Sequence, residues 1–291
     1  MSSSSRRDTA PATPRVVSTD RGAFAVLDAP VPGGTTRRGH VLLVPGFTGS
    51  KEDFAFILPL LARAGWHATA YDQRGQYESV GKPDDDYSVR GLAADALALQ
   101  EALAPQGRSH LVGHSFGGLV AQQAVLDDAS AWRSLTLLCS GPAGFAHPDV
   151  VAAADDPEPA LRRLRGFIEA VPSQGLETVF ELQNTDLDVR PPVRAFLRKR
   201  FLASAPESLC AIAEQLIGVP DQVDALAATD VPVAVAYGSG DDAWPFAAQE
   251  QMARRLRTEA AVIPGTGHSP ATDDPAATVA VLLSAWERLA A

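Results

Sequence analysis

Short apolar runs alternate with amphipathic runs of helical period along most of this 291-residue chain. Val41 to Val44, His67 to Tyr71, His110 to Gly113, Leu135 to Cys139, Val231 to Tyr237 and Ala260 to Ile263 read as short buried strands. Lys51 to Ala64, Ser88 to Ala104, Leu119 to Leu126, Phe246 to Leu256 and the run from Pro275 read as helices between them. Near-continuous apolar strands are covered on both faces, and parallel neighbours need a crossover long enough to be a helix. The alternation therefore predicts an α/β fold, a mostly parallel sheet flanked by helices. Arg15 to Ala29 adds one or two antiparallel edge strands. Local chemistry supports the helix ends: Gly65 stops the first, Ser88 caps the second and Asp274 caps the last.

The alternation is interrupted once. Residues 143–229 are mainly helix-like, with breakers at Pro172, Pro191-Pro192, Pro206 and Pro220. This block lies between two expected core strands, so it reads as a helical cap over the carboxyl edge of the sheet. The domain reading is a core of residues 15–142 and 230–291, a cap of residues 143–229, and a disordered tail of residues 1–14. That tail is rich in Ser, Pro, Thr and Ala and lacks the apolar stretch of a signal peptide. No run reaches transmembrane length, so a cytoplasmic protein away from membranes is expected. The formal net charge of −10 argues against nucleic acid, which demands a basic footprint. Of the two cysteines, Cys139 lies in a strand-like run and reads as a small buried apolar residue.

Gly113-His114-Ser115-Phe116-Gly117-Gly118 follows one of these strands and precedes a helix. A serine on such a sharp turn presents its hydroxyl outward, and the glycines let backbones approach without Cβ clashes. Ser115 is the candidate nucleophile. A serine hydroxyl needs a base, and the base needs an orienting acid. Among the six histidines, His40, His67 and His110 sit at strand entries, the wrong end of the sheet. His114 adjoins the serine, and His147 falls in the helical block. His268, in the loop Gly265-Thr266-Gly267-His268 after a late strand, is the candidate base. Asp241 and Asp242 both follow the strand ending at Tyr237, and the residues alone do not separate them as candidate acid. Oxyanion donors are expected from the backbone N–H groups of Phe116 and of Phe47, in the loop Pro45-Gly46-Phe47-Thr48-Gly49-Ser50.

Together these residues resemble the α/β-hydrolase superfamily, in particular its capped esterase, lactonase and C–C hydrolase branch. The resemblance covers nearly all of the chain after the tail. It implies the α/β-hydrolase fold, a Ser-His-Asp triad, no metal and no organic cofactor. The family's acid sits in a G-x-x-D-x-x-x-P loop, matched by Gly238, Asp241 and Pro245, which favours Asp241. Two segments depart from the pattern. The oxyanion loop carries Pro45-Gly46 in place of His-Gly, and a D-x-R-G-x-G-x-S segment appears as Asp72 to Ser79 with Tyr77 at its second glycine.

The expected activity is a serine hydrolase acting on a small ester, thioester or lactone through an acyl-enzyme, as a monomer or homodimer. Alternatives on the same triad are C–C bond hydrolysis, amide or peptide hydrolysis and perhydrolysis. A further alternative is a ligand sensor that retains the fold without turnover. Arg190, Arg194, Arg198, Lys199 and Arg200 form a basic cluster, read mainly as a solvated face balanced by carboxylates. Trp244 suits either the pocket wall or the core.

Overall fold

The computed structural model describes residues 11–105, 107–185 and 188–289. Two antiparallel strands, β1 (Thr13–Thr19) and β2 (Gly22–Ala29), lead into the alternating core. There follow β3 (Gly39–Val44), α1 (Leu58–Arg63), β4 (Trp66–Tyr71), α2 (Val89–Leu103), β5 (Ser109–His114), α3 (Phe116–Asp127) and β6 (Trp132–Leu138). Five helices come next: α4 (Pro148–Ala153), α5 (Glu158–Gln183), α6 (Pro191–Ala203), α7 (Pro206–Gly218) and α8 (Val223–Ala227). The core resumes with β7 (Val233–Gly238), α9 (Phe246–Arg255), β8 (Ala260–Ile263), α10 (Pro270–Asp273) and α11 (Pro275–Leu289). The eight strands form one sheet in the order β1-β2-β4-β3-β5-β6-β7-β8. β2 meets β4 antiparallel, and every pair from β4 to β8 is parallel.

Period-two alternation divides the strand side chains between two cores. Leu42, Val44, Leu111, Val233 and Val235 face the side covered by α2, α3 and α9. Val41, Leu43, Val112, Ala234 and Ala236 face the side of α1 and α11, with Leu58, Leu61, Leu282 and Trp286. The central strands β3 and β7 thus bury apolar side chains on both faces, which is why such runs read as buried.

Local structure departs from the sequence reading at several points. The expected tail of residues 1–14 is shorter among the described residues: Thr13 and Pro14 already pair with Asp28 and Leu27 in the sheet. Residues 1–10 of that tail lie outside the described residues. The single helix expected over Lys51 to Ala64 is a 3-10 turn at Lys51–Phe54 followed by α1. Pro59 fits the first turn of a helix but clashes in its interior, so the helix restarts there. Pro172 sits inside α5; the helical path breaks instead at Gly175, with φ 78° and ψ 160°. Pro191 and Pro206 do punctuate the block, each opening a helix at its first turn.

Three histidines are buried without charge. His40 lies between the hydroxyls of Ser109 and Thr69, at 2.9 and 3.0 Å. Burial, with the nearby His67 charge, pushes it down to about 3. His110 stacks on Trp286 with ring centroids 4.4 Å apart; burial and then Arg133 and Arg38 lower it to about 3. Burial and the His268 charge hold His114 at about 4. In the unfolded chain all three take up protons near pH 6.5. Their folded pKa values are depressed, so the unfolded state binds more protons below that point and stability falls with pH. The urea midpoint should drop between pH 7 and pH 5, because three histidines outweigh the one opposing carboxylate in that interval, Asp72, which burial raises to about 6 and which therefore binds its proton in the folded state first. A flat midpoint across that interval would exclude these assignments.

Candidate active site

Parallel register sets the site. β5 lies between β3 and β6, with Val44 opposite Gly113 and His114 opposite Leu138. The loop after β3 and the turn after β5 therefore leave the sheet side by side at its carboxyl edge. Their backbones nearly touch. A Cβ at Gly117 would lie 2.4 Å from the Val44 carbonyl and 2.5 Å from that of Pro45. A Cβ at Gly46 would lie 2.8 Å from the Ser115 Cβ.

Ser115 occupies the turn with φ 55° and ψ −126°. A non-glycine residue there stores about 1–3 kcal/mol of strain. The strain is held by packing and by two hydrogen bonds, Ser115 N–H to the Leu138 carbonyl (3.0 Å) and Gly118 N–H to the Ser115 carbonyl (2.8 Å). Phe116 begins α3 and its side chain is buried in the core. Neither its N–H nor that of Phe47 donates to an acceptor among the described residues. Both amides flank Ser115, one by sequence and one through Gly46.

His268 closes the arrangement from the loop after β8. Its Nε2 is 2.9 Å from Ser115 Oγ, and its Nδ1 is 2.7 Å from Asp241 Oδ1. Asp241 has a fully buried side chain and accepts from Gln249 Nε2 and the Ala243 N–H, each at 3.1 Å. Burial pushes its carboxyl up, but the His268 hydrogen bond and charge outweigh that and hold it below its ordinary value. Asp242 is exposed and makes no hydrogen bond to His268; it lines the cavity described next. Sequence-adjacent carboxylates thus separate only once the loop is folded. His114 Nε2 donates to the His268 carbonyl at 2.6 Å, so the residue before the serine anchors the distant loop.

A cavity of about 680 Å³ opens above Ser115 and His268. Its wall is apolar at Phe47, Phe145, Leu164, Phe167, Val179 and Leu216, and carries charge at Arg162, Arg163 and Asp242. Trp244 is not part of it: the ring is buried, stacks on Phe145 at 4.6 Å and donates to the Ala143 carbonyl. Cys139 is a buried free thiol, as its strand context suggests, and burial raises its pKa. Among the described residues no helix is long and apolar enough to cross a membrane.

The two departures noted in the sequence meet here. Gln73 Nε2 donates to the Pro45 carbonyl and Gln76 Nε2 to the Gly46 carbonyl, both at 2.9 Å. Two amides from the segment after β4 thus brace the loop that lacks the histidine. Tyr77 turns with φ 43°, and its ring packs below Lys51 Nζ at 4.7 Å. Lys51, itself buried, reaches Asp72 (2.8 Å), Glu78 (2.7 Å) and Glu52 (2.9 Å). Burial pulls its pKa down, but the Asp72 charge and the carboxylate hydrogen bonds raise it above the ordinary lysine value. These residues were missed by sequence reasoning because only the β3–β4 pairing brings residues 45–51 against residues 72–78. The cluster predicts a coupling. Lys51→Met leaves the Asp72 carboxylate buried and unpaired and should cost about 3–5 kcal/mol in urea denaturation. Adding Asp72→Asn should recover a large part of that loss, and strictly additive losses would show that the two groups are independent.

Residues 41–281 match the sequence model described as the alpha/beta hydrolase family. Monoacylglycerol lipase abhd6-A of Xenopus laevis is 24% identical over 263 residues, covering 82% of this chain and 72% of that protein. A Variovorax paradoxus protein named "Putative carbamate hydrolase RutD" is 40% identical over 98 residues, 34% of this chain; the match spans 36% of that relative's length. Among solved structures, an esterase from Thermogutta terrifontis superposes with a TM-score of 0.73 at 24% identity, covering 96% of this chain and 99% of that one. The esterase EaEST from Exiguobacterium antarcticum gives 0.78 at 17% identity, covering 94% and 100%. At these identities the structural likeness is one of fold. With the family model covering most of its length, the chain belongs to the alpha/beta hydrolase family and is a hydrolase.

Proposed function

We propose that this hydrolase cleaves a small carboxylic ester, thioester or lactone through an acyl-enzyme on Ser115. The observation that carries this reading is the continuous chain Asp241–His268–Ser115, with contacts of 2.7 and 2.9 Å, at the floor of a largely apolar cavity. Ser115 Oγ attacks the carbonyl carbon while His268 Nε2 takes its proton. The N–H groups of Phe116 and Phe47 receive the developing oxyanion, with no competing protein acceptor among the described residues. Asp241 stabilises the imidazolium and fixes the tautomer that presents an unprotonated Nε2 to the serine. Collapse expels the alcohol, thiol or ring oxygen, which takes the proton from His268. A water then attacks the acyl-enzyme, with His268 again as base, and free Ser115 and a carboxylic acid result.

In this reading residues 143–229 are the cap. Its α5 supplies Leu164, Phe167 and Val179 to the cavity wall, so the apolar body of a substrate lies against this helix. The core of residues 15–142 and 230–291 supplies the chemistry. C–C hydrolysis, amide hydrolysis and perhydrolysis use the same triad, and a sensor uses the same cavity without turnover. Kinetics on short-chain p-nitrophenyl esters beside amide and β-diketone substrates separate them. Tight binding of such a ligand without turnover by the intact chain would favour the sensor.

Ser115→Ala should lower p-nitrophenyl butyrate turnover by at least ~10³-fold and abolish labelling by a fluorophosphonate, whose adduct maps to Ser115 in the parent chain. Asp241→Asn should cost about 10⁴-fold and Asp242→Asn less than tenfold. Turnover unchanged by Ser115→Ala would overturn the proposal, and the reverse ranking of the aspartates would move the acid to Asp242.

A further inference from the structure

The basic side chains of the helical block differ in what they meet. Of those the sequence brings to notice, Arg194, Arg198 and Arg200 are held by carboxylates; Arg190, like Arg165 of α5, is exposed, without an ion pair among the described residues, and outside the cavity lining. Arg194 pairs with Glu181 at 2.7 Å and Arg198 with Glu177. Arg200 pairs with Asp53, and Lys199 Nζ lies 5.5 Å from the Tyr77 ring centre. Arg162 and Arg163 on α5 are different. Both are exposed, both line the cavity above Ser115, and neither has a carboxylate within ion-pair distance among the described residues. The acidic side chain lining the same cavity is Asp242; Asp155 and Asp156 line the neighbouring groove that shares Arg163.

Helix geometry relates these guanidiniums to the reacting centre. Arg163, Phe167 and Ala170 fall on one stripe of α5 and all line the cavity. Phe167 packs edge-on against Phe47, ring centroids 5.1 Å apart, and Phe47 follows Gly46, which lies against Ser115. Arg163 is one helical turn beyond Phe167, about 6 Å further along the axis. The apolar wall thus runs from the serine to a pair of unspent positive charges in a protein of net charge −10.

We infer that the substrate is an ester, thioester or lactone with an apolar body and a distal anionic group, such as a carboxylate, which Arg162 and Arg163 bind at the cavity mouth. This rests on the serine hydrolase reading above. Charge-assisted contacts to a carboxylate favour the anionic substrate over a neutral one of the same length, and salt weakens the preference because both arginines face solvent.

The test compares p-nitrophenyl hydrogen adipate with p-nitrophenyl heptanoate, reading kcat/KM for each. The parent chain should prefer the anionic ester at low salt and lose much of that preference at 0.5 M salt, about one Debye length of 4 Å. The ratio should fall about tenfold in Arg162→Gln/Arg163→Gln and hold in Arg90→Gln, which removes an exposed arginine of α2 outside the cavity. An unchanged thermal midpoint and fluorophosphonate labelling of Ser115 show that the double variant is folded. If both esters turn over through Ser115 and the ratio is the same in parent and double variant, the anion site is refuted and the hydrolase reading stands. If neither ester turns over and Ser115 resists the fluorophosphonate, the hydrolase reading fails first.

Discussion

Everything at the carboxyl edge of this sheet depends on two backbones approaching more closely than side chains permit. β3 and β5 pair in parallel, so Pro45-Gly46 and Ser115-Gly117 leave the sheet as neighbours. Any Cβ at Gly117 would meet the carbonyls of Val44 and Pro45 within 2.5 Å, and one at Gly46 would meet Ser115. Glycine at both positions lets the strained serine stand beside the loop that offers the Phe47 amide. The strain at Ser115, about 1–3 kcal/mol, survives because the fully buried strands on either side over-determine the turn.

A polar scaffold holds this approach in register. His114, directly before Ser115 in the turn, bonds the His268 carbonyl 154 residues away. Gln73 and Gln76 hold the carbonyls of Pro45 and Gly46, and Lys51 gathers Asp72 and Glu78 directly behind them. The scaffold also reaches the helical block. Arg200 of α6 pairs with Asp53, whose other oxygen accepts from the Ser50 N–H. One ion pair thus ties α6 to the loop beside Ser115.

Much of this was legible in the sequence. Alternating apolar and amphipathic runs carry the sheet, because strands covered on both faces are mostly apolar and their few polar side chains, such as His40, Thr69 and Thr136, are buried too. The elbow, the late histidine and the Gly238-x-x-Asp241 loop are local patterns, and each lies at the end of a strand where the reading placed it. The reading was poorer where structure depends on pairing between distant segments. Asp241 and Asp242 are chemically identical neighbours, and only the turn that aims Asp241 at His268 and Gln249 distinguishes them. The glutamine brace is invisible until β4 is known to lie beside β3. Helix boundaries failed at Pro59, Pro172 and Gly175 because a proline's effect depends on which turn it occupies.

The basic residues of the helical block show how far composition can mislead about recognition. The dense run Arg194 to Arg200 has the look of an anion site, yet its guanidiniums are neutralised by Glu177, Glu181 and Asp53. Charge density along a chain measures neither exposure nor pairing. A guanidinium already held by a carboxylate must give up that partner to bind a ligand, and the exchange returns little free energy at a solvated surface. Arg162 and Arg163 make less of an impression in the sequence but stand without such partners among the described residues, over the cavity and on the same helix as its apolar wall. What separates the two sets is that Arg162 and Arg163 are both unspent and part of the cavity lining above Ser115, a condition set by the packing of α5 over the sheet edge.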